Sequence, residues 1–298
     1  MSSENNQIPA VEFRNVCLNF DGKQVLIDVN LKLQKGEMLI LTGESSSGKS
    51  VLLRLAIGLL KPDSGQIFVH GKEIDTMRES ELLAVRGGLM GMVFQEDSLF
   101  TGLTVFENAA YRLEEHGWGQ DEIEKAVTEV LRFVGLDGEA QKLPEQLSGG
   151  MKRRLEIARA LIGWPSIMLF DEPTNSLDPI VAAQVLDLII RARDINGVTS
   201  IYVTKKPHEI SYLAKFAACE SDEAGIVICE AHVESVPRTK IMLLDSGQVA
   251  FYGTPDEFES AQSPSVKRML TLDTHNHVAD PYFQDPWNKS RRPEEEIL

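Results

Sequence analysis

Residues Gly43 to Ser50 have the sequence GESSSGKS and match the phosphate-loop pattern G-x-x-x-x-G-K-[ST]. The loop follows an apolar run, MLILTG, and opens an apolar helical pattern that continues to Leu60. A buried strand, a glycine-rich loop and a helix N-terminus together let successive backbone N–H groups point at a phosphate. The stretch therefore predicts a nucleoside triphosphate site on an α/β fold.

Each residue type in this loop has a predicted role. Lys49 is expected to neutralise charge on the β- and γ-phosphates, and the Ser50 hydroxyl is expected to bind Mg²⁺. ATP and Mg²⁺ are thus the predicted cofactors. The other predicted contacts to nucleotide in the loop are Gly43, Ser45, Ser46, Ser47, Gly48 and Val51.

A second apolar run, IMLFDEP from Ile167 to Pro173, ends in two carboxylates. Asp171 is placed to hold the Mg²⁺ water shell, and Glu172 beside it is placed to take a proton from an attacking water. An apolar run that ends in Asp-Glu is also a common strand end. The phosphate loop upstream is what favours a catalytic role.

The third motif is LSGGM, Leu147 to Met151, in front of the helical stretch MKRRLEIARALI. Ser148 followed by Gly149 and Gly150 provides an N-cap hydroxyl and free N–H groups, which can bind an anion. The same residues would also form an ordinary capped helix start.

Composition limits the classes of protein that remain. The chain has 298 residues, of which 43% are hydrophobic and 25% charged, values typical of a globular protein with a packed core. Its formal net charge is −15 with no visible basic patch, so it is expected to repel nucleic acids. No nucleic-acid partner is predicted.

The sequence contains no predicted membrane span or secretion signal. Its best apolar run, Val51 to Leu60, is short and contains Arg54, and the N-terminus MSSENNQIPA is polar. Three cysteines, Cys17, Cys219 and Cys229, favour a reducing compartment over a disulfide scaffold. A cytoplasmic location is expected.

Five motifs, including Gln95 after the strand-like MGMVF and SLDP from Ser176 to Pro179, follow one another in the order and spacing of the ATP-binding-cassette ATPases. The chain resembles that family from about Val11 to Leu270. The resemblance implies a P-loop NTPase (RecA-like) α/β core with an antiparallel β subdomain and an inserted helical subdomain. The predicted core spans residues 8–95 and 160–260, the helical subdomain 96–159 and a tail 261–298.

The resemblance also implies roles for residues that the motifs alone leave open. Gln95 would sense Mg²⁺ and the membrane partner, LSGG of one subunit would cover the ATP bound to the other, and Asp178 would lie at the interface of a homodimer. Phe20, at the end of a strand-like stretch, would stack on adenine. An aromatic residue there could equally belong to the core.

A narrower resemblance concerns the stretch MVFQEDSLFTGLTVFENAAYRLEEH with LSGGM and the later SPSVKRML. It is similar to the ATPase subunits of Mce-type (Mla-like) phospholipid transporters. This implies a membrane permease as partner, on the cytoplasmic side of the inner membrane. In the family the permease contacts the surface around Gln95, where Leu99, Phe100 and Leu103 are plausible contacts or, equally, core residues.

Three other hypotheses remain open. The chain could be a cassette ATPase for another imported or exported substrate, or a nucleotide-gated scaffold with little hydrolysis. A cassette protein of DNA repair or translation would usually carry paired cassettes or a long coiled coil, and neither is visible.

One segment departs from the family pattern. The family ends its next strand with Thr-His-Asp, whereas TSIYVT is followed here by Lys205, Lys206 and Pro207. His208 lies beyond a proline and fits a helix start on the surface better. Lys205 could place a positive charge near the γ-phosphate, but an ammonium cannot relay a proton as imidazole can. Lys205 is therefore a candidate catalytic residue, and ATP binding should survive better than turnover.

Two late segments differ in character from the rest of the chain. Residues 218–238 are interpreted as an acidic, strand-poor insertion, and its Cys219, Cys229 and His232 fall short of a zinc pattern, so a solvated loop is expected. From about residue 275 the chain is expected to pack only on a partner surface. His275 and His277 are not expected to bind metal. The tail aromatics could be unstructured, but the resemblance to lipid-transport ATPases implies that they dock on the opposite subunit; they are Tyr282, Phe283 and Trp287.

Overall fold

A computed structural model describes residues 8–221, 225–230 and 239–271, which form three sheets and nine α-helices. The largest sheet has six strands, in the spatial order β12 (Gln248–Gly253), β11 (Thr239–Asp245), β3 (Met38–Thr42), β8 (Thr199–Val203), β7 (Ile167–Asp171) and β6 (Met90–Val93). An antiparallel sheet has the order β2 (Lys23–Leu33), β1 (Val11–Phe20), β4 (Ser64–Val69) and β5 (Lys72–Glu73). The third sheet is a hairpin of β9 (Phe216–Ser221) and β10 (Gly225–Glu230).

The helices lie between and around these strands. They are α1 (Lys49–Ala56), α2 (Glu79–Leu89), α3 (Val105–Glu115), α4 (Gln120–Phe133), α5 (Gly149–Leu161), α6 (Pro179–Asn196), α7 (Pro207–Lys215), α8 (Pro255–Ser260) and α9 (Pro264–Thr271). No helix in the described ranges is long and apolar enough to cross a bilayer.

The six-stranded sheet is parallel except for its edge strand β12, and it separates two hydrophobic cores. In β3, Met38 and Ile40 join the core on the side of the helices α3 to α6, whereas Leu39 and Leu41 join the core that includes α1 and the antiparallel sheet. A strand buried on both faces needs apolar residues at every position. The continuous apolar run before the phosphate loop therefore has the predicted structure.

The carboxyl ends of four parallel strands bring the sequence motifs together. The phosphate loop follows β3, Gln95 follows β6, Glu172 follows β7 and Lys205 follows β8. Because these strands are parallel neighbours, their ends meet at one edge of the sheet, where α/β folds bind ligands. The fold thus explains how motifs spread over more than half of the sequence form one site.

The late insertion is not the strand-poor loop that the sequence predicts. Within the described residues it begins as the hairpin of β9 and β10, held against the end of α6: Arg193 donates to the Phe216 carbonyl (2.7 Å) and Asp194 accepts from the Ala218 N–H (2.8 Å). A strand signal was present in Ile226, Val227 and Ile228 of β10, but the surrounding acidic residues favoured a solvated loop.

The cysteines of this hairpin also correct the sequence analysis. Cys219 and Cys229 meet on one face of the hairpin in a disulfide, with Cα atoms 6.1 Å apart, and only Cys17 is a free thiol among the described residues. Two cysteines offset by two positions across paired antiparallel strands share a face. No group of three or more metal-binding side chains occurs in the part of the chain that the structure describes, and His232 lies outside it.

The predicted tail begins with an ordered helix. Helix α9 lies against β3 and the phosphate loop. Arg268 forms an ion pair with Glu44 (3.3 Å), and the Thr42 hydroxyl donates to the Met269 sulfur (3.7 Å). Residues 261–271 thus belong to the folded unit. The tail residues His275, His277, Tyr282, Phe283 and Trp287 lie outside the described residues.

Candidate functional site

Two glycines of the phosphate loop are required by the fold of the loop itself, apart from any ligand. Gly43 and Gly48 have φ angles of 145° and 104°. A Cβ atom on Gly43 would lie 2.2 Å from the Leu244 carbonyl oxygen, and one on Gly48 would lie 2.7 Å from Leu26 Cδ2. Only glycine tolerates both the backbone conformation and this close approach.

Lys49 lies inside the loop that it is predicted to serve. Its ammonium donates to the carbonyl oxygens of Gly43 (2.8 Å) and Glu44 (2.7 Å), and the residue is only 6% exposed. Burial lowers the pKa of the Lys49 ammonium from its usual value. The side chain is thus held within the loop, where a bound triphosphate would meet its ammonium.

The two predicted Mg²⁺ ligands are neighbours. The Ser50 hydroxyl donates to the Asp171 carboxylate over 3.1 Å. Burial raises the pKa of the Asp171 carboxyl, and the hydrogen bond from Ser50 opposes that rise. A hydroxyl and a carboxylate are the hard oxygen donors that Mg²⁺ prefers. Nearby, the buried Ser47 hydroxyl has no hydrogen-bond partner among the described residues, which leaves a polar group for a ligand to satisfy.

Glu172, the predicted general base, has a left-handed backbone conformation with φ 44°. Its N–H donates to the Val203 carbonyl (3.1 Å) in the neighbouring strand, which fixes this conformation. Non-glycine residues with positive φ are uncommon and concentrate at functional sites. Glu172 directly follows β7, at the edge where the four strands end.

Lys205 contacts Glu172 directly. Its ammonium lies 3.1 Å from the Glu172 carboxylate, with the lysine side chain 44% exposed and the glutamate 14% exposed. Lys205 therefore lies beside the predicted base. The sequence did not predict that this lysine forms an ion pair with the base.

A cleft of about 690 Å³ joins these groups. Of the predicted site residues, it is lined by Phe20, Ser45, Ser46, Gly48, Lys49, Ser50, Val51, Gln95, Glu172 and Lys205. The sequence analysis missed five further lining residues, Lys23, Gln24, Val25, Ser246 and Gly247. The Asp21-Gly22 turn was a usable signal for the first three, because it pairs Lys23 with Phe20.

Phe20 lies at the rim of this cleft and is 43% exposed. The alternative that it belongs to the core is therefore wrong. An exposed aromatic ring beside a phosphate loop offers a flat surface on which a base can stack.

The remaining predicted residues do not line the cleft of this chain. Ser148 caps α5 by accepting from the Met151 N–H (3.3 Å), and Asp178 caps α6 by accepting from the Val181 N–H (3.1 Å). A Cβ on Gly150 would lie 2.5 Å from Val181, whereas one on Gly149 would meet nothing within 4 Å. Gly150 is thus needed for close packing of α5 against α6, whereas no atom lies close to the Gly149 position where a side chain would be.

A buried network connects the segment after Gln95 with the helix that follows LSGG. Arg153 donates to the carbonyl oxygens of Phe94 (2.8 Å) and Gln95 (3.2 Å) and pairs with Glu156 (2.6 Å). Glu156 in turn accepts from the Ser98 N–H (2.8 Å), and burial raises the pKa of its carboxyl. The sequence analysis missed this network, because paired charges in a helical run look like an exposed face.

His208 is the second residue of α7 and does not line the cleft, in agreement with its prediction as a helix-start residue. The position after Lys205 behaves differently. The ammonium of Lys206 lies 3.0 Å from the Glu209 carboxylate and therefore does not stand free in the cleft.

Fold and site together define a P-loop nucleoside triphosphatase. A sequence model of the family described as ABC transporter matches residues 26–175 of the chain. The chain belongs to this family and is an ABC-type ATPase, as the five motifs predicted.

The relatives include several methionine import proteins. The methionine import ATP-binding protein MetN of Leifsonia xyli is 38% identical over 264 residues, which cover 87% of this chain and 70% of the relative. MetN of Carboxydothermus hydrogenoformans is 33% identical over 289 residues, 96% of this chain and 78% of that protein. The chloroplast protein Trigalactosyldiacylglycerol 3 of Arabidopsis thaliana is 33% identical over 278 residues, 90% and 75% respectively.

A solved structure supports the fold assignment. A dimeric post-hydrolysis state of the ATP-binding cassette MJ0796, bound to ADP and phosphate, matches with a TM-score of 0.66 and 27% identity over 82% of this chain and 98% of that one. The ABC ATPase fold is thereby confirmed. The narrower resemblance to Mce-type phospholipid transport subunits is not borne out by the names of most of these relatives.

Proposed function

We propose that the chain is the ATP-hydrolysing subunit of an importer-type transporter, which forms a homodimer around two ATP molecules and drives a separate membrane permease. The observation that supports this most is that some of the predicted ATP-binding residues line the cleft and others lie elsewhere on the same chain. Its cleft holds the phosphate loop, Gln95 and Glu172, whereas Ser148 to Gly150 and Asp178 lie outside it. In this family the signature of one copy completes the ATP site of the other, so we expect a complete ATP site to need a second copy of the chain.

Within the cleft, the residues have complementary roles. Lys49 and the N–H groups of the loop hold the phosphates, and Phe20 stacks on the base. Ser50, Asp171 and Gln95 hold Mg²⁺, which when bound neutralises phosphate charge. Glu172 orients a water and accepts its proton.

The partners follow from the same arrangement. Ser148, Gly149 and Gly150 of one copy cover the ATP of the other, and Asp178 lies between the copies. The complex works at the cytoplasmic face of the inner membrane, because an ATPase of this family acts through a permease. The net charge of −15 argues against a nucleic-acid partner.

Methionine is the first candidate for the substrate, since MetN proteins are 33% and 38% identical over most of this chain. A lipid is the second candidate. It is favoured by the resemblance of the stretch after Gln95 to lipid-transport subunits and by a relative, 33% identical, whose name is that of a glycolipid.

The test is to isolate the chain with its membrane partner and measure ATPase activity in vesicles. The expected result is a copurifying permease and ATP hydrolysis that either methionine or added phospholipid stimulates. Methionine stimulation supports the first candidate and lipid stimulation the second. A chain that copurifies with no membrane protein would contradict the proposal.

Lys205 is expected to slow ATP hydrolysis. A carboxylate oxygen that accepts from an ammonium 3.1 Å away is less available to accept from a water. The lysine is also unable to relay a proton. The ion pair thus favours a state in which ATP is held and hydrolysis is slow.

Replacing Lys205 with His is expected to raise steady-state ATPase activity several-fold with the permease present, because Glu172 loses its ammonium partner and gains an imidazole. Lys205→Ala separates removal of the ion pair from gain of the imidazole, and Lys72→Ala, an exposed lysine on β5, serves as the control. A fast wild-type rate that falls in both Lys205 variants would show instead that Lys205 is a working catalytic group.

The surface for the permease lies beside Gln95. Phe100 is 42% exposed, its ring centroid is 4.7 Å from that of Tyr111, and the Arg159 guanidinium lies 5.1 Å from it. Its backbone is fixed by Asn108, which accepts from the Phe100 N–H (2.9 Å) and donates to its carbonyl (3.0 Å). An exposed aromatic ring on a fixed loop is suited to contact a partner helix.

Phe100→Glu should therefore release the permease while ATP binding stays intact. We expect copurification to fall by about 30-fold, the effect of losing an interface anchor of about 2 kcal/mol. Ile195→Glu, an exposed apolar residue at the end of α6, is the matched control. Loss of ATP binding or of folded protein in Phe100→Glu would favour a core role for this ring.

A further inference from the structure

A buried carboxylate lies behind the ATP cleft, in the first turn of α7. Glu209 is 1% exposed and accepts hydrogen bonds from the hydroxyls of Tyr202 (2.8 Å), Thr204 (2.7 Å) and Thr174. Burial, with the nearby Glu209 charge, raises the pKa of the Tyr202 hydroxyl, which therefore stays a donor. Burying a carboxylate costs free energy unless hydrogen bonds compensate for the lost water, and here three hydroxyl groups do so.

Lys206 connects this centre to the loop that follows β7. Its ammonium lies 3.0 Å from the Glu209 carboxylate and donates to both the carbonyl (3.1 Å) and the hydroxyl (3.2 Å) of Thr174. The Lys206 backbone N–H also donates to the Thr204 hydroxyl (3.0 Å). One side chain from the segment after β8 thus holds the middle of the loop after β7.

That loop begins at Glu172 and ends at Asp178. Two hydrogen bonds shape it: the Glu172 carbonyl accepts from Asn175 N–H (3.0 Å) and the Thr174 carbonyl accepts from Leu177 N–H (3.4 Å). Lys206 therefore binds the carbonyl that also closes the turn before Asp178. Its neighbour Lys205 binds Glu172 at the other end of the same loop.

We infer that Lys206 and Glu209 are a positioning pair that couples Glu172 in one ATP site to the Asp178 segment, and through it to the second site of the dimer. Neither residue lines the cleft, so neither touches the nucleotide. The inference rests on the proposed dimeric ATPase. Movement of the segment after β8 is transmitted to the loop before Asp178 because the ammonium holds both.

The test compares wild type with Lys206→Met, which keeps the length of the side chain and removes its charge. We expect kcat for ATP hydrolysis to fall by about tenfold, a usual size for coupling between sites, with the Hill coefficient falling towards unity. Nucleotide affinity should change little. The melting temperature should fall, because the buried Glu209 carboxylate loses its ammonium partner, so kcat is compared per folded protein at a temperature where both proteins are folded. Lys206→Arg should restore most of kcat and of the cooperativity.

The matched control is Lys215→Met, at the other end of α7, where the lysine forms an ion pair with Glu259 in which both side chains are half exposed. It should behave as wild type. In a second comparison, Lys206→Met combined with Glu209→Gln should lower kcat no further than Lys206→Met alone, because the two groups act as one unit.

Wild-type kcat and Hill coefficient in Lys206→Met would overturn the inference. So would a loss of activity that only follows the loss of folded protein, measured by melting temperature at equal concentration. The proposed function is tested apart from this: if Glu172→Gln stops hydrolysis and Lys206→Met does not alter it, only the coupling fails. A wild type that neither dimerises nor hydrolyses ATP would overturn both.

Discussion

Replacing Glu172 with Gln is expected to lower ATP hydrolysis by about 100- to 10,000-fold, the usual contribution of a positioned general base. The amide keeps the shape of the side chain but cannot take a proton from water. It also removes the charge that pairs with Lys205 at 3.1 Å. ATP should stay bound, and the dimer should become long-lived because hydrolysis no longer opens it.

Steady-state ATPase assays and light scattering with ATP and Mg²⁺ measure the two consequences of this change. The expected mass is that of two chains for Glu172→Gln with ATP and of one chain without it. Glu124→Gln, an exposed glutamate on α4, is the control and should hydrolyse ATP at the wild-type rate. Wild-type turnover in Glu172→Gln would mean that another group acts as the base.

The second large effect is expected for Lys49→Ala, which should weaken ATP binding by roughly tenfold or more. A hydrogen bond to a charged group contributes about 1.5 to 3 kcal/mol, and Lys49 is held inside the loop by two carbonyl oxygens. Its removal leaves the phosphates without the ammonium that the loop positions. Hydrolysis should fall at least as far.

Titration calorimetry with ATP and Mg²⁺ measures this loss directly. Lys61→Ala, an exposed lysine after α1, is the control for a change of net charge alone. The melting temperature of Lys49→Ala without nucleotide shows whether the loop still folds. A Lys49→Ala variant that is folded and binds ATP as wild type does would contradict the assignment of the site.

The motifs and the buried strands were predictable because local rules govern them. GESSSGKS requires a strand before it and a helix after it, and β3, β7 and β8 are buried on both faces, so that their apolar runs are continuous. The same rules did not reveal α2, Glu79–Leu89, whose two glycines and mixed face hide the helical pattern. Nor did they reveal the hairpin of the insertion.

The residues beside the cleft were partly predictable. Gln95, Glu172 and Lys205 follow strands, so a parallel sheet places them at one edge. Ser246 and Gly247 come from a turn between two late strands, and only the position of β11 beside β3 brings that turn to the phosphate loop. The roughly 200 residues between this turn and the phosphate loop give no sign in the sequence that the two line the same cleft.

The amino-acid order is sufficient to predict the phosphate loop and the signature before α5, since each depends on residue types at short spacing. Comparison with the family pattern adds the missing histidine and the expectation of two copies. Tertiary contacts were needed to show that Lys205 pairs with Glu172 and that Lys206 joins Glu209 to Thr174. These pairs form between segments about 30 residues apart whose side chains meet only after β7 and β8 align in the sheet. Electrostatic partners depend on distances of a few ångström, and only the folded chain sets those distances.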